Sequence, residues 1–216
     1  MAEPRILPPR LEADALSPAG AFELRPEAEL NSRRLSGITL TGEKLRRMAL
    51  QGCVLEGCTL LNCDLTGLEL LDCELRHCDF SGSHLAEGYF SRCSFVSCRG
   101  LSTDFTDGKF LNITMRGCLW RGANWDCSIL ERVKLTACDL SEGWMSGCRL
   151  RRLELAGCTL NRISFFKTAL AGIDFTRCRM EGITASEGGG ELKGAVVSPE
   201  QAADLARLLG VVVRWD

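Results

Sequence analysis

From Leu30 to Met180 a large apolar side chain falls on every fifth position of this chain, with no slip in phase. The series opens Leu30, Leu35, Leu40, Leu45, passes through Phe80, Phe90, Trp120 and Trp125, and closes Phe165, Leu170, Phe175, Met180. Of its 31 members 30 are apolar, the exception being Gly100. A period of five is neither the roughly 3.6 of a helix nor the period of about 2 of a flat strand. A chain with this period must turn a corner every five residues so that each large side chain returns to one axis. That is a solenoid, and a repeat of this length constrains the fold more than any local propensity.

The flanking positions agree. Two residues before the apolar centre a thiol or other small side chain recurs, as at Cys53, Cys58, Cys63, Cys73, Cys78, Cys93, Cys98, Cys118 and Cys138. Two residues after it glycine is frequent, as at Gly37, Gly42, Gly52, Gly57 and Gly67. Glycine suits a tight corner because it takes positive φ without steric cost. Units such as Cys63-Asp64-Leu65-Thr66-Gly67 and Cys78-Asp79-Phe80-Ser81-Gly82 resemble the pentapeptide-repeat proteins, and the resemblance covers about three quarters of the chain. It implies an all-β solenoid, a right-handed quadrilateral β-helix with four pentapeptides to a coil. It implies much less about function, because the fold serves many roles.

The expected organisation is an N-terminal extension and cap over 1–29, the repeat β-helix over 30–187, and a linker, short C-terminal α-helix and tail over 188–216. The repeat then makes between seven and eight coils, a rod on the order of 35–40 Å at the spacing of hydrogen-bonded strands. The phase never slips, so no loop interrupts it. In this the chain is similar to the smaller loop-free members of the family, and departs from the larger plasmid-borne quinolone-resistance members. Residues 1–29 carry Pro4, Pro8, Pro9, Pro18 and Pro26 and leave the phase. Poor order is expected through about Pro18, with Phe22 and Leu24 closing the N-terminal end of the core.

A net charge of −2 gives no blanket attraction to nucleic acid or an anionic membrane. No apolar run approaches the roughly 20 residues that span a bilayer, and 1–29 lack the apolar core of a secretory signal. The cysteine count is odd, 13, and all but Cys127 occupy the small position of the repeat. They read as reduced core thiols of a cytoplasmic protein. Seven of them form one column, Cys58, Cys78, Cys98, Cys118, Cys138, Cys158 and Cys178. Parallel side chains in a column neither pair well as disulfides nor converge on a metal, so corner packing is the expected role. Cys127, at a turn position, is the one cysteine to test for reactivity. Gly100 leaves a hole in its column of centres, to be filled by tilting of Phe80 and Trp120 or by an inward turn of Leu101.

Between residues 30 and 190 there are 18 acids and 20 bases, unevenly placed. The face centred on Leu65, Leu85, Phe105 and Trp125 carries Asp64, Glu87, Asp104, Asp107 and Asp126, with Trp144 projecting from it. No Lys or Arg interrupts that face from Cys63 to Gly147. Arg149, Arg151 and Arg152 collect on a neighbouring face. The acidic face is either an ordinary solvated surface or a docking face with Trp144 as its aromatic anchor.

Ser198-Pro199-Glu200-Gln201 is a helix start: Ser as N-cap, Pro at the first helical position, Gln three residues after the cap. The helix should end near Leu209, stopped by Gly210. Ala202, Leu205, Leu208 and Leu209, followed by Val211, Val212, Val213 and Trp215, exceed what one coil end can cover. The excess argues for a homodimer through this helix, and the segment resembles the family's C-terminal dimerisation module. A monomeric cap is the alternative.

No catalytic constellation, cofactor motif or metal site is expected. The two histidines, His77 and His84, fall on different faces, and Gly188-Gly189-Gly190 reads as a linker. The chain is therefore read as a non-enzymatic interaction rod whose partner is a protein, with no direct nucleic-acid or membrane contact. The resemblance suggests one partner class: the quinolone-resistance branch is held to mimic duplex DNA and bind DNA gyrase, so a type II topoisomerase is one reading. A structural scaffold or adaptor for another protein is the second.

Overall fold

The computed structural model describes residues 5–214. From Leu30 the chain winds through about seven turns of a four-sided parallel solenoid. Every pairing within the repeat steps by twenty residues, as in Phe90↔Phe110, Phe110↔Leu130 and Leu130↔Leu150. Two faces carry strands. These are three-residue strands in the first coils, such as Ala49–Gln51 and Val54–Glu56, and they merge into Tyr89–Val96, Lys109–Arg116, Ile129–Thr136 and Arg149–Ala156. The other two faces hold mostly single parallel bridges between tight turns, among them Asp64↔His84, His84↔Asp104 and Asn124↔Trp144. All ladder hydrogen bonds run along the rod axis, so each coil templates the next.

The five-residue centres meet on the axis. In the N-terminal half they are leucines, and in the middle they become a nest of rings. Phe90 stacks on Phe110 at 4.6 Å and Phe105 on Trp125 at 4.3 Å, while Trp120 meets Phe95, Phe105 and Trp125 edge-on. The Gly100 hole is filled by Trp120, whose Cζ3 lies 2.2 Å from where a Cβ on Gly100 would stand. Leu101 stays on the surface. Twelve cysteines are buried free thiols and Cys127 is exposed. The column thiols donate to backbone carbonyls one coil below, as Cys78 does to Leu55 O at 3.5 Å, and this satisfies them in place. Burial raises the Cys63 thiol pKa, and pushes Cys148 up to about 12.

Corners demand positive φ whatever residue is present. Among the described residues 19 besides the glycines take it, and none of these is β-branched, the class for which the left-handed region is costliest.

The N-terminal extension departs from expectation in two ways. Ser17–Ala19 pairs in parallel with Arg33–Leu35, and Leu7 and Arg10 lie against a corner of the solenoid. Within the segment where poor order is expected, side chains far along the chain take up the backbone N–H groups of Leu7 and Arg10. Leu24 joins the core as expected, but Phe22 is 85 % exposed and closes nothing.

At the other end the helix Pro199–Ala206 is capped by Ser198 and Gln201 and continues as a 3-10 turn, Arg207–Leu209, to Gly210 at φ 73. Gln201 Nε2 donates to Phe175 O at 2.9 Å and Cys178 O at 2.8 Å, carbonyls that no further coil is there to pair.

Candidate docking surface

The acidic face is held flat by the bridges that stack Asp64, His84, Asp104, Asn124 and Trp144 in one column. Its carboxylates do two jobs. Asp64 and Asp104 each close a local turn: Asp64 Oδ1 accepts from Thr66 Oγ1 at 2.7 Å, and Asp104 Oδ1 from Thr106 Oγ1 at 2.6 Å and Thr106 N at 3.0 Å. Asp126 Oδ1 accepts the backbone N–H of Ser146, one coil on, at 2.7 Å. Glu87 and Asp107 project from neighbouring corners at φ 60 and 58, exposed and with no ion pair among the described residues.

Two bases modify this face, Arg46 from its N-terminal end and His84 within it. Arg46 reaches up from the first turns to Asp64, Nε to Oδ2 2.5 Å. Burial opposes ionisation of Asp64, but hydrogen bonds from Thr66 and Arg46 outweigh it and hold the carboxyl below the usual range. His84 sits between Asp64 and Asp104 with Nδ1 3.6 Å from Asp104 Oδ2. The strip left without an arginine is therefore Glu87, Asp104, Asp107 and Asp126.

Trp144 stands outward at 49 % exposure, as expected. Sequence reasoning missed its neighbour Phe166, 44 % exposed on the next coil, with Lys167 Nζ 5.0 Å from its ring centroid. Its column was the available signal, since the equivalent positions are Arg46, Thr66, Ala86, Thr106, Asp126 and Ser146. Arg149, Arg151 and Arg152 are exposed together on the adjacent strand face, with no ion pair among the described residues.

The C-terminal residues divide. Leu205 packs with Leu192, Ala195 and Val197 over the last coil. Ala202, Leu208, Leu209, Val211 and Val212 are exposed and Val213 is half-buried. Trp215 lies outside the described residues. In the short turn Gly190–Leu192 that precedes the helix Glu191 is buried, its Oε1 accepting from Lys167 N at 2.8 Å, Ser186 N at 3.1 Å and the Ser186 hydroxyl. Burial opposes its charge, yet these donors hold its pKa at about 2.

Among the described residues no group of three or more His, Cys, Asp or Glu side chains could hold a metal ion, and no helix is long and apolar enough to cross a membrane. His77 and His84 lie on different faces. What the chain offers is extended surface on a stiff core, which defines the class: a β-solenoid whose chemistry lies in its outer columns. The family model for the pentapeptide repeat region matches residues 68–143, and that for pentapeptide repeats (8 copies) matches 44–82 and 145–182. The chain belongs to the pentapeptide-repeat family.

Comparison with curated proteins gives no match. Among solved structures the chain is similar to full-length QnrB1, a plasmid-mediated fluoroquinolone resistance protein. Identity is 22 %, the match covers 82 % of this chain and 100 % of that one, and the TM-score is 0.44. It is also similar to HetL, a pentapeptide repeat protein involved in heterocyst differentiation regulation in the cyanobacterium Nostoc sp., at 18 % identity, covering 78 % and 84 % of the two chains with a TM-score of 0.34. At these values the likeness is one of fold.

Proposed function

We propose that this protein is a non-enzymatic interaction rod that docks a partner protein along its acidic face, and that the partner's surface is one built for DNA, as on a type II topoisomerase. The observation that carries the reading is the spacing of charge. Glu87, Asp104, Asp107 and Asp126 fall on three successive coils, which at about 4.8 Å per coil span about 10 Å. That is one acidic level per coil, with two carboxylates on the middle one: a regular row of negative charge along a straight axis, as a DNA strand presents, at about 4.8 Å against about 3.4 Å between phosphates. The ladder holds the strip straight and the core holds it stiff, so little conformational entropy is lost on binding. Trp144 and Phe166 at its C-terminal end supply the apolar anchors that a row of exposed charges lacks.

Two further features complete the reading. The outward Leu208, Leu209 and Val211, with Val213 beside them, form an end surface for a second copy, which would double the rod through the C-terminal helix. A core lined with free thiols suits a reducing compartment, the cytoplasm. A scaffold role for a different partner is favoured instead by Arg149, Arg151 and Arg152, which form a basic patch away from the strip.

Surface-immobilised gyrase and topoisomerase IV, titrated with the protein at 50 and 200 mM salt, separate the two. The topoisomerase reading predicts binding that weakens at least tenfold at the higher salt and is lost when the four strip acids become Asn or Gln. Binding indifferent to those acids but lost on replacing the three arginines would favour the scaffold.

A further inference from the structure

The corner column Asp72, Arg92, Asn112, Arg132, Arg152 carries five successive non-glycine residues at positive φ, between 52° and 57°. Glycine would serve each corner at less cost, and left-handed backbone on bulky residues is a strain that clusters at functional positions. The side chains interlock. Arg92 binds Asp72 with Nε and Nη2 both at 2.6 Å, and Arg132 Nε donates to Asn112 Oδ1 at 3.0 Å. On alternate coils, then, an acceptor is oriented by the arginine above it, with one acceptor direction left open.

Residues 5–12 fill that direction. Arg10 N donates to Asp72 Oδ1 at 3.0 Å and Leu7 N to Asn112 Oδ1 at 3.4 Å. Asp72 and Asn112 are two coils apart, about 9.6 Å along the axis. Leu7 and Arg10 are three residues apart, about 9.3 Å in a polyproline II helix, whose turn of three also points both N–H groups the same way. Pro8 and Pro9, between them, fix the backbone in that conformation. The segment touches lightly elsewhere: Ile6, Pro8, Pro9 and Leu11 face Glu74, Ser94 and Thr114 across an open channel.

We propose that this corner is a binding site for an extended, proline-bearing peptide that presents backbone N–H groups three residues apart, and that residues 5–12 of the chain occupy it in cis. The solenoid repeat and the polyproline repeat are commensurate, so the same track takes such a segment in trans once its own is released. Asp72 is held ionised by Arg92 and by the Arg10 N–H, the state that accepts best.

The test uses full-length protein and a fluorescein-labelled peptide with the sequence of residues 1–14. Leu7→Pro/Arg10→Pro removes both N–H donors from the cis segment and leaves the solenoid untouched. Fluorescence anisotropy should show the peptide binding this variant at least tenfold more tightly than wild type, where the tethered segment competes at high effective concentration. Adding Asn112→Ala should weaken that binding at least fivefold. Equal affinity for wild type and variant, or no binding to either, overturns the proposal. So does intrinsic-rate amide exchange of Leu7 and Arg10 in the wild-type protein by NMR; protection that Asp72→Ala abolishes at Arg10 supports it.

Discussion

At the scale of the residue, the repeat is tolerant at its surface and exacting on its axis. Gly100 is the one apolar centre that is missing, and Trp120 has grown into the vacancy, so the two positions form a single packing unit. Gly100→Ala would drive a Cβ into the Trp120 ring and within 2.6 Å of Thr103 Oγ1, which is itself tied to Phe80 O. We expect a loss of about 2 kcal/mol in urea unfolding. Trp120→Leu should cost less in the Gly100→Ala background than alone, because the two changes share one space. The sequence showed the hole and offered two ways to fill it. Choosing between them needed the rotamer, which is settled by neighbours such as Phe95 and Phe105 brought in from other coils.

Glu191 is the residue where pH should matter. Its carboxyl is held near 2, against about 4.3 in an unfolded chain. A depressed pKa stabilises the fold above the unfolded value, and that contribution disappears as pH falls from about 4.3 through about 2. Glu191→Gln should therefore destabilise the C-terminal end by about 2 kcal/mol at pH 7 and by little at pH 2. Hydrogen exchange across 186–206 measures it: a difference between wild type and variant that stays constant with pH would contradict this account. Nothing in the local sequence marks this residue, since its partners Lys167 and Ser186 are set by where the last coil ends.

At the scale of the element, legibility followed the range of the contacts. The repeat announces itself because each coil meets the same demand, and the helix Pro199–Ala206 was readable because its capping box lies within four residues. The N-terminal segment was not, because its partners Asp72 and Asn112 are 62 and 105 residues away. Composition full of proline reads as disorder until a surface of matching period is seen beside it. The acidic face was legible as a column pattern, but Arg46 crossing to Asp64 and Phe166 beside Trp144 depend on side-chain reach between coils. Gln201 also works at this scale. Gln201→Ala removes one half of the capping box and leaves the Cys178 carbonyl without its partner, while Phe175 O keeps the Cys178 N–H; it should cost about 2 kcal/mol and raise exchange throughout the helix.

At the scale of the whole molecule the fold is a stiff rod whose two ends are finished differently. Leu24 closes one end, and the C-terminal helix closes the other while leaving Leu208, Leu209, Val211 and Val212 outside. Light scattering at micromolar concentration should give a dimer mass for the wild type and a monomer mass for Leu209→Asp/Val211→Asp. A wild-type monomer would leave the rod single and remove the end-to-end arrangement.

The acidic strip carries the central claim, and gyrase supercoiling with the protein titrated in, with and without a fluoroquinolone, tests it most directly. The account predicts inhibition or drug protection at micromolar protein or below, abolished when the strip acids Glu87, Asp104, Asp107 and Asp126 are replaced by Asn or Gln. Folded protein that leaves gyrase and topoisomerase IV unchanged, or an effect that survives loss of those acids, would contradict it.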